Sequence, residues 1–92
     1  MRHFLVHDTR DNVGVAVVDI ESGQVAGGTT LDNAHPFQVK ACEAIPLGHK
    51  IALKDLKVGD TVIEYGEDIG KVVANIRAGE HVHVHNLKTK RW

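Results

Sequence analysis

Three histidines occupy alternate positions near the C-terminus, in the run Gly79-Glu80-His81-Val82-His83-Val84-His85-Asn86. In an extended strand, side chains two apart share a face. This spacing therefore sets three imidazoles on one side and Val82 and Val84 on the other. A neutral imidazole binds Zn, Fe, Ni or Cu, a charged one grips an anion, and the ring exchanges protons near neutral pH. Neighbouring members lie about 7 Å apart at Cα, so His81 and His83 can converge on one ion. Three on a straight strand fan out too far, which leaves His85 for another role. A metal site also needs a carboxylate, a water or a further side chain. Glu80 and Glu64 qualify by type, although a regular strand turns Glu80 away from His81. A polar, solvated strand face that binds nothing satisfies the same alternation.

A second candidate is Gly48-His49-Lys50, which follows Ile45-Pro46-Leu47. A turn presenting an imidazole beside an ammonium can hold a carboxylate or sulfonate through charge-assisted hydrogen bonds. An ordinary solvated hairpin tip has the same composition. Tyr65-Gly66-Glu67-Asp68-Ile69-Gly70 reads as a glycine-rich turn between a strand ending at Tyr65 and one starting at Lys71, with the tyrosine capping the core. His35-Pro36 is a loop pair, Cys42 packs as a small apolar residue, and His3 and His7 receive no role. There is no nucleophile elbow, P-loop, dinucleotide fingerprint or CxxC. A cupin would need a glutamate three or four residues after its strand histidines and another histidine later. Here Asn86, Leu87, Lys88 and Thr89 follow His85, so that reading is excluded.

The elements that must position these groups are short strands. Their expected spans are 3–7, 12–20 (rich in Val13, Val15, Val17 and Val18), 37–44, 49–55, 61–65, 71–76 and 80–86, bounded by glycine or Asp/Asn turns. A helical turn is allowed at 50–57. A motif also recurs: Ile20-Glu21-Ser22-Gly23-Gln24-Val25, Ile45-Pro46-Leu47-Gly48-His49-Lys50-Ile51, Leu56-Lys57-Val58-Gly59-Asp60-Thr61-Val62 and Ile76-Arg77-Ala78-Gly79-Glu80-His81-Val82. Each copy is an aliphatic residue, two variable residues, glycine, a polar residue and a further aliphatic. It predicts a strand end anchored in the core and a tight glycine turn from which the next strand leaves. The irregular intervals exclude a solenoid. The expected fold is mostly β, of short, bent, folded-back strands with at most one or two helical turns.

Ninety-two residues suffice for one small domain spanning 1–92. Acids and bases are interspersed at a formal charge of −1, so no basic stripe points to nucleic acid. The seven histidines would carry that charge toward +6 (−1 plus 7) on acidification. One cysteine excludes an internal disulfide and fits a reducing compartment. No apolar run approaches the roughly 18 residues of a membrane span. The segment Met1-Arg2-His3-Phe4-Leu5-Val6-His7 is too short and polar for a signal peptide. A cytoplasmic protein is expected.

Read in order, Gly48-His49-Lys50-Ile51-Ala52-Leu53, Val62-Ile63-Glu64-Tyr65-Gly66, Ile69-Gly70 and Gly79-Glu80-His81-Val82-His83-Val84-His85-Asn86-Leu87 resemble the SAF-type domain of the sugar-acid dehydratases, the altronate and galactarate dehydratase family. The resemblance spans roughly residues 45–87 as an ordered set of motifs, and the Val-rich N-terminal segment is similar too. In the dehydratases this domain precedes a larger catalytic region, whereas in sulfolactate sulfo-lyases it is a separate small subunit. A chain ending at Trp92 resembles the latter.

The resemblance implies a β-clip fold and a lyase reaction. A proton α to a carboxylate is removed and a β substituent leaves, either water from a sugar acid or sulfite from 3-sulfolactate. It also implies a divalent metal, Fe(II) in the family, with Zn or Ni acceptable on the isolated chain, and a large dehydratase-like catalytic subunit as partner. Gly48, His49 and Lys50 match the GHK element; His81, His83, His85 and Asn86 match GEHVHxHN. The expected roles are His81 and His83 as metal ligands, and His49, His81 and His83 as catalytic groups. Gly48, Lys50, His85 and Asn86 are expected to hold a small anionic hydroxy acid. So small a β domain cannot by itself enclose such a substrate, so the chain is expected to be inactive alone; a homo-oligomer is compatible with this. A stand-alone module binding an acidic carbohydrate or a metal is the alternative, because related SAF modules serve as binding domains.

Overall fold

The computed structural model describes residues 2–32 and 34–89. Among these residues the chain forms strands and turns and no helix. The strands are β1 (Phe4–Val6), β2 (Val13–Ala16), β3 (Val25–Thr30), β4 (Pro36–Lys40), β5 (Lys50–Ala52), β6 (Thr61–Glu64), β7 (Glu67–Val72), β8 (His81–Val82) and β9 (Leu87–Thr89). The mostly β expectation holds. At 50–57, where a helical turn was allowed, β5 instead ends at Ala52 and the chain bends into a turn.

Six strands form one sheet in the order β4-β3-β1-β2-β5-β8, and β6-β7-β9 form a second. Only β1 and β3 pair in parallel; the other ladders are antiparallel. The fully buried Phe4 ring lies against Gly14 on β2 and Gly28 on β3. A Cβ at either glycine would stand 2.6 Å or 2.3 Å from the ring, so both strands need glycine there. That contact explains β3, a strand missed by the sequence reading: Gly27-Gly28 weakens its β propensity, and packing under Phe4 overrides that deficit.

The recurring motif organises the fold. Gly23, Gly48, Gly59 and Gly79 have φ of 85°, 85°, 93° and 90°. In each copy the residue after glycine donates its N–H to the carbonyl three residues back, at 3.1, 2.9, 2.9 and 3.0 Å. This is a type II turn, which needs positive φ at its third residue and so favours glycine. The copies pair reciprocally. Ile20 bridges Ile45, and Leu56 bridges Ile76. Asp19, Asp55 and Asn75, each just before a bridge, accept the amides of Leu47, Ala78 and Val58 on the partner turn at 2.8, 2.9 and 3.0 Å. The two pairs anchor two cores. One gathers Phe4, Val6, Ala16, Ile20, Ile45 and Ile51; the other gathers Val13, Leu56, Val62, Val72, Ile76 and Val82.

Other boundaries move for local reasons. The Val-rich run 12–20 is a strand only to Ala16, because the chain must turn toward the Ile20 bridge. The glycine-rich turn is confined to Tyr65-Gly66, and β7 begins at Glu67 rather than Lys71. Both turn residues have positive φ, 56° and 71°, as a two-residue hairpin of type I′ requires. The buried Asp11 carboxylate accepts their two amides at 3.0 and 2.8 Å, which stabilises the left-handed tyrosine. Tyr65 does not cap the core: it is exposed and its ring lies 3.8 Å from that of His7. Strand 80–86 stops at Val82, which matters most for the site.

Candidate functional site

Antiparallel pairing of β5 with β8 sets Ile51 opposite His81 and Lys50 opposite Val82. His49 precedes β5 and His83 follows β8, so both stand just beyond the last pair of this ladder, and the three rings gather there. His49 Nδ1 and His81 Nε2 are 2.8 Å apart, a hydrogen bond in which one ring donates and the other accepts. The His81 and His83 rings stack at 5.3 Å with an interplanar angle of 10°, and both lie near His49, with ring centres 4.9 Å away. One nitrogen from each of the three falls within 4.8 Å of the others.

The bend after Val82 builds this cluster. Asn86, 5% exposed, accepts the His83 amide at 2.9 Å through Oδ1 and donates to the His81 carbonyl at 2.8 Å through Nδ2. The amides of Asn86 and Leu87 both donate to the His83 carbonyl, at 3.1 and 2.9 Å. The chain thus folds over immediately after His83. His85 leaves the strand face; its ring sits 5.6 Å from His81 and outside the group of three.

Electrostatics favour the ligating form. Burial pushes the His81 pKa down, and the neighbouring His49, His83 and His85 push it the same way against the opposing pull of Glu43. His81 is therefore held neutral near pH 7, as a metal ligand must be. Two nitrogens of a tetrahedral ion bound at about 2.0–2.1 Å stand about 3.3 Å apart. The cluster's spacings, from 2.8 Å to within 4.8 Å, bracket that value. The donor set and spacing fit a first-row divalent metal with open positions. Glu43 also lies at this site, accepting the His81 amide at 3.2 Å. The sequence reading missed it, because only the fold brings the loop after β4 beside β8.

Several expected site residues stand elsewhere. Lys50 follows His49 but points to the opposite face, where its ammonium pairs with Glu64 at 3.8 Å. An imidazole and an ammonium side by side at Gly48-His49-Lys50 are thus not present. Gly48 supplies the positive φ of the turn, with open space around it. Asn86, expected to touch substrate, has both ends of its amide engaged with backbone. Glu64 lies outside the group of three histidines and is buried; desolvation pushes its pKa up, against the pull of Lys50 and His7. Glu80 accepts the Arg77 amide at 2.6 Å and caps its own turn. An open groove of ≈ 580 Å³ is lined by Ser22, Val39, Lys40, Cys42 and Ala78 and by none of the three histidines. Cys42 is exposed rather than packed, and Trp92 lies outside the described residues.

The model of the altronate/galactarate dehydratase SAF domain matches residues 2–90 of this sequence. The chain belongs to that family. This SAF domain is 54% identical to the (2R)-sulfolactate sulfo-lyase subunit alpha of Chromohalobacter salexigens, over 97% of this chain and 96% of the relative. It is 60% identical to the subunit of the same name from Paracoccus pantotrophus, over 68% of this chain and 92% of the relative. The altronate dehydratase of Bacillus subtilis is 37% identical over 97% of this chain, but the match covers only 17% of that enzyme. The SAF domain thus occurs both as a small subunit and as a minor part of a long chain.

Proposed function

We propose that this chain is the small subunit of a carbon–sulfur lyase converting 3-sulfolactate to pyruvate and sulfite together with a larger catalytic subunit. The observation that carries the site is the set of three imidazoles, from β8, from the bend after it and from the turn before β5, whose nitrogens lie within 4.8 Å. The end-to-end likeness to sulfo-lyase alpha subunits favours sulfite over water as the leaving group. In the reaction a base takes the C2 proton, the C3–S bond breaks with its electron pair on sulfite, and the enol tautomerises by protonation at C3.

His49, His81 and His83 would hold the divalent metal, Fe(II) in the native complex and Zn or Ni on the isolated chain. Bound there, such an ion would polarise the substrate carboxylate or hydroxyl and acidify the C2 proton. Without the ion His49 and His81 share a hydrogen bond through facing nitrogens, and metal binding would replace that bond. His85, whose ring lies 5.6 Å from that of His81, would meet the anionic substrate. With its rings partly exposed to solvent, the small subunit is inactive alone and needs walls from its partner. No helix among the described residues is long and apolar enough to cross a membrane, and we place the enzyme in the cytoplasm.

Co-expression with a larger dehydratase-like subunit tests this reading. The complex should copurify, contain metal and release sulfite from 3-sulfolactate. Turnover of altronate or galactarate alone would move it to the hydro-lyases. Absence of a partner and of any turnover would leave a binding module.

A further inference from the structure

In three of the four type II turns the side chain after glycine caps the turn. Gln24 Oε1 accepts the Glu21 amide at 3.0 Å, Asp60 Oδ2 the Lys57 amide at 2.8 Å, and Glu80 Oε1 the Arg77 amide at 2.6 Å. The fourth turn, Pro46-Leu47-Gly48-His49, closes with the same backbone bond, His49 N–H to Pro46 carbonyl at 2.9 Å. Its first residue is proline, which has no N–H to be capped. The ring atom able to reach that place is Nδ1, bonded to Cγ as the capping Oδ2 of Asp60 is. His49 Nδ1 is also the atom 2.8 Å from His81 Nε2. We propose that Pro46 is a positioning residue: by withholding the amide that the other copies present, it frees His49 Nδ1 for the histidine cluster. One missing donor converts a structural turn into one that delivers a functional side chain.

The test is Pro46→Ala in the full 92-residue chain, read by ¹⁵N NMR without metal and by Zn²⁺ titration calorimetry. The restored amide should exchange slowly with solvent, and the His49 Nδ1 resonance should shift as it accepts that proton. Zn²⁺ should bind about three- to tenfold more weakly, the scale of one competing hydrogen bond. In a His49→Ala background, Pro46→Ala should leave Zn²⁺ affinity unchanged. If the proline merely stiffens the turn, Pro46→Ala would lower the thermal midpoint equally in both backgrounds, with the Nδ1 resonance and Zn²⁺ affinity unmoved; that result overturns the proposal. If Pro46→Ala does not fold, the device is built in the first copy, comparing Gln24→His with Glu21→Pro/Gln24→His. The ring should be capped in the former and free in the latter, and identical Nδ1 shifts would refute the idea. The Zn²⁺ readout rests on the metal reading above. Wild-type chain that binds no Zn²⁺, with the NMR changes as expected, would remove the metal and leave the positioning role standing.

Discussion

His49 Nδ1 stands 2.8 Å from His81 Nε2, across 32 residues of sequence. The contact joins a turn from one half of the internal repeat to a strand from the other, so the site depends on both halves being folded together.

That dependence ranks the histidines. Replacing His49, His81 or His83 singly by Ala should lower sulfite release by the complex by at least about 10²-fold, the usual contribution of a positioned acid–base or ligand group. The same variants should weaken Zn²⁺ binding by the small subunit. His85→Ala should raise KM for 3-sulfolactate and leave Zn²⁺ affinity near wild type. Steady-state kinetics and titration calorimetry separate these outcomes; loss below threefold at all three sites would make the cluster decorative.

Asn86 acts through backbone. Asn86→Ala leaves the His83 amide and the His81 carbonyl without their partner and should cost about 1–3 kcal/mol in urea denaturation. Asn86→Asp retains the acceptor for His83 and should recover part of that loss. If Asn86 instead touched substrate, Asn86→Ala would change KM with stability intact.

Glu64 sets a pH dependence of known sign. Its folded carboxyl has a pKa raised above the ordinary 4.5. Between these values the folded state therefore holds more proton than the unfolded one, and stability falls as pH rises through that window. Glu64→Gln removes this titration. The stability of the variant relative to wild type should accordingly increase from pH 4 to pH 7. Urea midpoints across that range measure it; the opposite slope would mean that Lys50, 3.8 Å away, dominates over burial.

The partner's footprint can be mapped with charges. Leu47, on the turn that delivers His49, is 60% exposed, and Val84, between His83 and His85, is 74% exposed. Leu47→Asp or Val84→Asp should prevent copurification with the larger subunit. Val58→Asp, at 61% exposure on another turn, should not. Circular dichroism would verify that all three remain folded.

Sequence alone determined a great deal here. Four glycine turns were legible because positive φ at the third turn position restricts residue type so strongly, and alternation marked His81, Val82 and His83 because strand geometry has a period of two. The ordered motifs carry the family in the sequence itself. Tertiary structure decided the rest. Strand alternation does not show that β8 ends at Val82, where the Asn86 side chain bonds back to His83 and His81, three and five residues earlier. Nor does any local pattern pair one turn with another, or send Lys50 to Glu64 while its neighbour His49 meets His81. Period two placed His49 and Lys50 on opposite faces; which face held the histidines was settled only by the β5–β8 register. Local chemistry chose the groups, and non-local pairing chose their companions.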